Sequence, residues 1–341
     1  MKRVSNIETE ETEMAGIREV AKLAGVSAST VSRVMNGTAN VDEDKKQRVL
    51  AAIDETGFKP NELARALFRQ SSKIIGVIVP NIENPFYNEL AKAVEEEAYR
   101  NGYRMLLCNS NNNTEKELMN IQILNQMKAD GIIILTYSDK TGQEIARCRL
   151  PAVVVDRQLT GSGQSAYIEA DHYKGGRMAM EYLLSCGCRN VVFLRGPLGV
   201  SSGMRRYQGY REACEEHGIQ EQCIDCLYEY EDGLRAAKEL AVRFPAADGI
   251  IASNDMVAIA SYKVLTNAGY RVPEDIQIIG FDNIRFSWLF TPEFTTIIQP
   301  ITQMGMLAVQ IIIRHRQGLQ YQKENILDVS LVERQTTRRK E

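Results

Sequence analysis

The chain has 341 residues, of which 44% are hydrophobic and 25% are charged. This composition is typical of a globular protein, and the length allows two or three domains. The sequence has no window of about 18 uncharged apolar residues and no apolar N-terminal segment, so it supports neither a membrane span nor secretion, and we expect a cytoplasmic protein.

The net charge of −3 is unevenly distributed along the chain. Residues 14–73 carry ten Lys and Arg against seven Asp and Glu, whereas residues 74–341 carry 29 against 33. A small basic segment therefore precedes an acidic body. This distribution places any electrostatic attraction for nucleic acid in the N-terminal part.

The seven cysteines are odd in number, and we expect them to be reduced thiols. Cys223-x-x-Cys226 and Cys186-x-Cys188 lie in no recognisable zinc or redox context. The three histidines form no His-Glu-x-x-His pattern. We therefore expect no metal and no cofactor.

Residues 1–13 are rich in glutamate and have no periodic apolar residues. Such a segment cannot bury enough apolar surface to fold, so we expect a disordered extension. Met14 begins the next segment and is an alternative start of translation.

Residues 17–36 have the pattern of a helix-turn-helix. Val20, Leu23 and Ala24 recur at helical spacing, which predicts a first helix with one buried face. Gly25 stands where the tight turn needs a positive φ. An ordinary pair of packed helices would also fit this spacing.

The second helix of this pair is predicted to enter a DNA major groove. Val31 and Val34 form its buried face, and Ser27 can cap its N-terminus. The outward side chains are short or polar enough to approach base edges closely. The predicted DNA-contacting residues of this segment are Ser27, Ala28, Ser29, Thr30, Ser32, Arg33 and Asn36.

A third helix is predicted to complete a small three-helix core. Acidic residues at 42–44 mark its start, and Gly57 marks its end. Its apolar stripe consists of Val49, Ala52 and Ile53.

The first two helices resemble the opening of the LacI/GalR family of bacterial repressors. The matching stretches are residues 20–27, Val-Ala-Lys-Leu-Ala-Gly-Val-Ser, and residues 30–36, Thr-Val-Ser-Arg-Val-Met-Asn. The resemblance implies that residues 14–60 are a helix-turn-helix domain, which binds a near-palindromic double-stranded operator as part of a homodimer.

Residues 61–73 are predicted to be a hinge helix and linker. A helix of this length is marginal in water without a partner. The resemblance implies that the hinge helices of a dimer pair in the minor groove. Leu67 would then wedge between base steps, and Ala64 would allow close approach. Asn61 is predicted to contact DNA as well. A plain linker is the alternative.

From residue 74 onward, short apolar runs are separated by helix-length stretches. Such runs are typical of buried parallel strands, and their alternation with helices predicts an α/β fold with two doubly wound parallel sheets in tandem. The predicted strands are residues 74–80, 103–108, 131–135, 152–156, 191–194, 249–253 and 276–281.

The resemblance implies that the two sheets belong to two lobes like those of periplasmic sugar-binding proteins. The chain would then cross between the lobes near residues 168–172, 299–303 and 330–334. The implied boundaries of this effector-binding and dimerisation domain, residues 74–341, are 74–168 and 302–331 for lobe 1 and 171–299 and 333–341 for lobe 2.

In open α/β sheets a ligand binds beyond the carboxyl ends of the strands. The residues that follow the predicted strands are carboxylates, amides, arginines and aromatic rings, which suit the hydroxyls and the apolar face of a sugar. Each alone could instead cap a helix, fix a turn or form an ion pair. The predicted effector-binding residues are Asn84, Phe86, Tyr87, Asp156, Arg157, Arg206, Asn254, Asp282 and Gln299.

Within the family, these residues are most similar to those of the ribose-repressor branch. The combination of Asn84-Pro85-Phe86 with Asp156-Arg157 is the most discriminating feature. Met204 stands where the family has the first of two arginines, so the exact sugar stays open. The resemblance implies a repressor whose operator affinity is controlled by ribose or a related pentose.

Two alternatives are open. A global catabolite regulator of the same family would respond to a phosphorylated carrier protein, but that effector would not need the polar pair Asp156 and Arg157 in the cleft. An α/β enzyme fused to a DNA-binding module would need a catalytic constellation or a glycine-rich phosphate loop, and the sequence shows neither. We expect no enzymatic activity. The operator sequence, the direction of the response and the choice between dimer and tetramer stay open.

Overall fold

The computed structural model describes residues 16–36, 41–58, 71–136, 138–148, 150–159 and 165–338. The chain divides into two compact units between Ser72 and Lys73. The predicted extension at residues 1–13 and the hinge residues Asn61, Ala64 and Leu67 lie outside the described residues, so their roles stay predictions.

The first unit contains the helices α1 (Ile17–Ala24), α2 (Ala28–Asn36) and α3 (Glu43–Thr56). Gly25 follows α1 with a φ of 64°, and Gly57 follows α3 with a φ of 61°. The hydroxyl of Ser27 accepts a hydrogen bond from the backbone N–H of Thr30 at 3.2 Å. These contacts confirm the turn, stop and cap signals in the sequence.

The core of this unit consists of Val20, Ala21, Ala24, Val31, Val49 and Ala52. Leu23 shares the helical spacing of Val20 and Ala24 but is 49% exposed, so its expected burial is wrong. The buried face of α1 is centred between Ala21 and Ala24, which leaves Leu23 at its edge. Ala28, expected on the outer face of α2, packs partly against this core.

The second unit contains two six-stranded sheets. The first has the spatial order β11-β5-β4-β3-β1-β2, and all its strands are parallel. Its strands are β1 (Ile74–Val79), β2 (Arg104–Asn109), β3 (Gly131–Ile134), β4 (Ala152–Val155), β5 (Ala166–Ala170) and β11 (Glu324–Leu327).

The second sheet has the order β12-β10-β9-β8-β6-β7, in which β12 alone runs antiparallel to its neighbour. Its strands are β6 (Val191–Arg195), β7 (Cys223–Asp225), β8 (Gly249–Ala252), β9 (Gln277–Asp282), β10 (Thr295–Ile298) and β12 (Ser330–Val332). Each sheet forms the centre of one lobe. The predicted fold class is confirmed.

Helices pack on both faces of each sheet, as the alternation of strand and helix requires. Those of lobe 1 are α4 (Pro85–Arg100), α5 (Thr114–Gln126), α6 (Asp139–Cys148) and α12 (Ile301–Arg316). Those of lobe 2 are α7 (His172–Ser185), α8 (Ser201–Glu216), α9 (Tyr230–Arg243), α10 (Asp255–Asn267) and α11 (Phe286–Leu289). None of the described helices is long and apolar enough to span a bilayer.

The chain crosses between the lobes after β5, after β10 and after β11. The third crossing lies between Leu327 and Ser330, earlier than the expected residues 330–334. The reason is that β12 already belongs to lobe 2, where Leu331 pairs with Ile297 of β10. The three crossings place the carboxyl ends of both sheets on opposite sides of one cleft.

Candidate functional site

The N-terminus of α2 carries a row of exposed hydroxyl groups. The hydroxyl oxygen of Ser27 lies 2.8 Å from that of Ser29 and 2.9 Å from that of Thr30. Ser29 and Arg33 are exposed, whereas Ser32 is half-buried. The side chain of Asn36 lies outside the described atoms. α2 therefore presents a short, polar surface of the kind that a major groove can accept.

The wall of the cleft on the lobe 1 side begins at α4. Asn84 caps this helix by accepting a hydrogen bond from the backbone N–H of Phe86 at 3.0 Å. Phe86 and Tyr87 are buried, and their rings meet edge to face with centroids 5.4 Å apart. These rings give the cleft an apolar surface that can cover one side of a sugar ring.

Asp156 and Arg157 follow β4 directly, and both are buried. Asp156 has a φ of 67°, a left-handed conformation that aspartate tolerates better than most residues. Nη1 of Arg157 donates a hydrogen bond to the backbone oxygen of Thr136 at 2.7 Å, and Nη2 lies 3.6 Å from Oδ2 of Asp156. The backbone of lobe 1 thus holds the arginine beside the carboxylate.

Arg206 extends from α8 on the lobe 2 side. Its Nη1 donates to the backbone oxygen of Ser253 at 2.5 Å, and its Cζ lies 3.7 Å from the centroid of the Phe281 ring. Its Nη2 lies 3.7 Å from Oδ1 of Asp282. Asp282 in turn accepts a hydrogen bond from Nε2 of Gln299 at 2.7 Å. Lobe 2 therefore presents a second arginine and carboxylate pair.

The hydrogen bonds of Asn254 cap a helix and support a loop, which is the structural alternative to ligand binding. Its Oδ1 caps α10 by accepting from the backbone N–H of Val257 at 2.9 Å, and its Nδ2 donates to the backbone oxygen of Tyr228 at 2.9 Å. It lines the cleft, fixes the loop that carries Tyr228, and keeps one N–H donor and one lone pair beyond these two hydrogen bonds.

All nine residues predicted to bind the effector line one cleft. Tyr228 lines it as well and was not among the predicted residues. It follows β7, a strand of three residues that no apolar run revealed. Knowledge of this strand would have identified Tyr228 by the same strand-end argument.

The lobes also touch each other around the cleft. Nδ2 of Asn112 donates to Oε1 of Glu229 at 3.0 Å, and the backbone N–H of Gln158 donates to the hydroxyl of Ser201 at 3.0 Å. Oε1 of Glu89 accepts from the backbone N–H of Arg285 at 2.6 Å. The two lobes are therefore in a closed arrangement.

The two carboxylates of the cleft have opposite electrostatic environments. Burial raises the pKa of Asp282 well above its usual value. The positive charge of Arg206 offsets only part of this effect, and the negative charge of Asp255 adds to it. For Asp156, contact with His172 and the charges of Arg206 and Arg157 outweigh burial, so its pKa lies below its usual value. The cleft thus combines a strong acceptor on lobe 1 with a readily protonated carboxyl on lobe 2.

Two buried polar atoms around the cleft, Oε1 of Gln299 and Oγ of Ser253, have no hydrogen-bond partner among the described residues. Buried polar atoms are normally hydrogen-bonded, so these two leave hydrogen-bonding capacity at the cleft. In the described part of the chain, no group of three or more His, Cys, Asp or Glu could hold a metal ion.

Two parts of the chain match known families. Residues 16–61 match bacterial regulatory proteins of the lacI family, and residues 180–337 match the periplasmic binding protein-like domain. The chain is similar to the ribose operon repressor of Halalkalibacterium halodurans, with 36% identity over 301 residues, which cover 88% of this chain and 90% of that protein.

Solved structures agree with this assignment. A LacI family transcriptional regulator from Enterococcus faecium with bound ribose matches with a TM-score of 0.70 and 29% identity, covering 77% of this chain and 98% of that one. The lac repressor dimer bound to operator and the anti-inducer ONPF matches with a TM-score of 0.84 and 25% identity, covering 94% of this chain and 98% of that one. The chain belongs to the LacI family of bacterial regulatory proteins.

Proposed function

We propose that the protein is a homodimeric transcriptional repressor, whose affinity for its operator is controlled by ribose or a closely related pentose. The observation that carries this proposal is the closed cleft, in which an arginine and carboxylate pair from each lobe faces the same space. The ribose operon repressor and the ribose-bound regulator among the similar proteins support it.

The polar lining of the cleft suits the hydroxyl groups of a sugar. Arg157 and Arg206 each lie beside an aspartate and donate to a backbone oxygen, so part of their donor capacity is already used within the protein. A sugar hydroxyl can both donate to a carboxylate and accept from a guanidinium group, so a pentose matches this arrangement.

A ligand in this cleft would favour the closed arrangement because its contacts come from both lobes. Asp156 and Arg157 belong to lobe 1, whereas Arg206 and Asp282 belong to lobe 2. A bridging sugar therefore binds the closed state more tightly than the open state, and it shifts the population accordingly. We expect closure to change the dimer so that the hinge helices pair less well, and ribose to loosen operator binding.

The test is a titration of the operator complex with ribose, followed by calorimetry with ribose, arabinose, glucose, ribose 5-phosphate and adenine. We expect ribose to bind most tightly and to weaken operator binding by about 5- to 150-fold, the usual range of allosteric coupling. Asp225→Asn, which alters an exposed carboxylate of lobe 2 outside the cleft, is the control and should respond as the wild type does. The effector assignment would be contradicted if adenine or ribose 5-phosphate bound more tightly than ribose. It would also be contradicted if neither ribose nor arabinose released the operator.

A further inference from the structure

We propose that His172 is a positioning residue of the cleft, which as a neutral imidazole protonated on Nε2 holds Asp156 of lobe 1 and Arg206 of lobe 2 in one row. The inference deepens the proposed function and rests on it where it concerns the sugar. His172 is not among the residues predicted from the sequence.

The row runs through both ring nitrogens of His172. Nε of Arg206 donates a hydrogen bond to Nδ1 of His172 at 3.3 Å. Nε2 of His172 lies 3.2 Å from Oδ1 of Asp156, in contact but without the alignment of a full hydrogen bond. A guanidinium group has donors only, so Nδ1 must be the unprotonated nitrogen and the ring proton lies on Nε2, toward the carboxylate. The contacts therefore select one tautomer.

The surroundings of the ring keep it neutral. His172 is completely buried, and burial together with the positive charge of Arg206 lowers its pKa. The carboxylates of Asp156 and Glu169 act in the opposite direction, and they do not outweigh these effects. A second ring proton would have to sit on Nδ1, directly against the Nε–H of Arg206. The imidazole can accept from Arg206 only in the neutral form.

The position of His172 in the fold is suited to this role. It is the first residue of α7, directly after the first crossing between the lobes. α7 lies close against α8, because a Cβ atom on Gly176 would lie 2.0 Å from the backbone oxygen of Arg206 and one on Gly209 would lie 2.1 Å from that of Tyr173. The distance between His172 and the base of Arg206 is therefore fixed by the packing of the two helices.

His172 acts through its neighbours and not on the ligand. Its side chain has no exposed surface, whereas Asp156 and Arg206 both line the cleft. Removal of the imidazole would take away the acceptor that aligns Nε of Arg206. It would also remove the contact that contributes to the lowered pKa of Asp156. Both changes weaken the groups that we expect to bind a sugar.

A role in packing alone is the alternative, because the ring also lies 6.0 Å from the ring of Phe281, measured between centroids. Two variants separate the roles. His172→Leu keeps an apolar side chain of similar bulk but has no polar atoms. His172→Gln can place an amide oxygen toward Arg206 and an amide N–H toward Asp156, so it can restore the row.

We expect His172→Leu to weaken ribose binding by about tenfold or more in calorimetry and His172→Gln to stay within about threefold of the wild type, since loss of an aligned hydrogen bond typically costs about a factor of ten. Circular dichroism melting and operator binding without sugar should show that both variants fold. Equal ribose affinity of the Leu variant and the wild type would overturn the proposal, and so would an equal loss in both variants.

A spectroscopic measurement tests the tautomer without any sugar. In protein labelled with ¹⁵N at its three histidines, the signals that disappear in His172→Gln belong to His172. We expect an unprotonated Nδ1 and a protonated Nε2 at neutral pH, because burial and the charge of Arg206 lower the pKa of the ring. A proton on Nδ1, in either the other tautomer or the cation, would contradict the proposed arrangement of Asp156, His172 and Arg206. A wild-type protein that shows the expected tautomer but binds no ribose would contradict the proposed effector and leave the row intact.

Discussion

A Cβ atom on Gly176 would lie 2.0 Å from the backbone oxygen of Arg206. Gly176 lies in α7 and Arg206 in α8, and this close approach sets the base from which the Arg206 side chain reaches the cleft. A residue with any side chain at position 176 would push the two helices apart. The packing of lobe 2 is thereby linked to the geometry of the candidate sugar site.

The first prediction concerns this contact. Gly176→Ala should lower the free energy of unfolding by about 1 to 3 kcal/mol, the usual cost of overpacking, and should also weaken ribose binding. Gly199→Ala is the matched control, because a Cβ atom there meets nothing within 4 Å and the backbone needs no positive φ. Urea denaturation and calorimetry measure the two effects. An unchanged stability of Gly176→Ala would show that α7 can move away from α8 at little cost.

The second prediction concerns Asp255, which is completely buried beside the cleft. Burial raises its pKa to about 7, although it accepts hydrogen bonds from the hydroxyl of Thr296 at 2.6 Å and from the backbone N–H of Ile284 at 2.9 Å. The folded state therefore retains a proton on Asp255 over a range where the unfolded state has lost it. Stability from this group is fully present below its unfolded pKa of about 4 and is lost as the pH rises toward about 7.

Asp255→Asn resembles the protonated form and should remove this dependence. Relative to the variant, the wild type should lose on the order of 2 to 3 kcal/mol of unfolding free energy between about pH 5 and 8. Denaturant unfolding of both proteins at several pH values measures the difference, and a comparison of the two cancels the titration of groups that do not interact with Asp255. Asp255→Asn in an Asp282→Asn background removes the contribution of Asp282, whose pKa depends on Asp255. A parallel pH dependence in the two proteins would contradict the raised pKa.

Most residues of the cleft can be predicted from the sequence, because they follow strands with a clear apolar pattern. Residues that follow a strand without such a pattern cannot. β1, β4 and β8 are continuous apolar runs, and residues that follow them line the cleft. β9 contains the run Ile-Ile-Gly-Phe and ends at the cleft residue Asp282. Tyr228 was missed because it follows β7, a three-residue edge strand with the sequence Cys-Ile-Asp. His172 was missed because it follows β5, whose sequence Ala-Tyr-Ile-Glu-Ala contains a buried glutamate and does not stand out as a strand.

The edge strands β11 and β12 were missed for a related reason. β11 alternates between exposed and half-buried side chains, and β12 is a three-residue strand with no fully buried side chain, so both lack the apolar runs of central strands. β12 nevertheless decides where the chain returns to lobe 2, which is why the third crossing lies earlier than expected. In α1, the helical period was correct for Val20 and Ala24, but it could not show that Leu23 lies outside the core. Which residues of α1 are buried depends on the helices against which it packs.

The third prediction concerns base recognition by α2. Arg33→Ala and Ser29→Ala should each weaken operator binding and relax the preference for operator over random DNA, since a good base contact is worth about 1 to 3 kcal/mol. Lys45→Ala removes an exposed positive charge from α3 and is the control. It should lower the affinity for both DNAs alike and reduce the salt dependence. Footprinting that shows the wild-type sequence preference in both α2 variants would exclude this helix as the reader.

The fourth prediction concerns the hinge and rests on the family resemblance, because Leu67 lies outside the described residues. Leu67→Ala should weaken binding to the operator far more than binding to random DNA, since a wedge contributes only where the central base step can kink. Leu67→Lys should be worse still for the operator. Both affinities are measured at one salt concentration, and equal losses on the two DNAs would support a passive linker.

The last prediction separates sensing from DNA binding through Asp282. This residue pairs with Ile298 in the register of β9 and β10, so the adjacent Gln299 reaches it and donates a hydrogen bond at 2.7 Å. The φ of Asp282 is 110°, a conformation that residues other than glycine rarely adopt and that is often kept at functional sites. The carboxyl group thus has a fixed position between Gln299 and Arg206.

Asp282→Ala should abolish the response of the operator complex to ribose and leave operator binding without sugar intact, because the residue belongs to the second unit and not to the reader helix. The reciprocal effect must hold as well: in the wild type, operator DNA should weaken ribose binding by the same factor by which ribose weakens operator binding. A fluorescence titration in both directions measures the two factors. Undiminished release of Asp282→Ala by ribose would exclude the cleft as the effector site, and unequal factors in the wild type would show that ribose acts on more than one equilibrium.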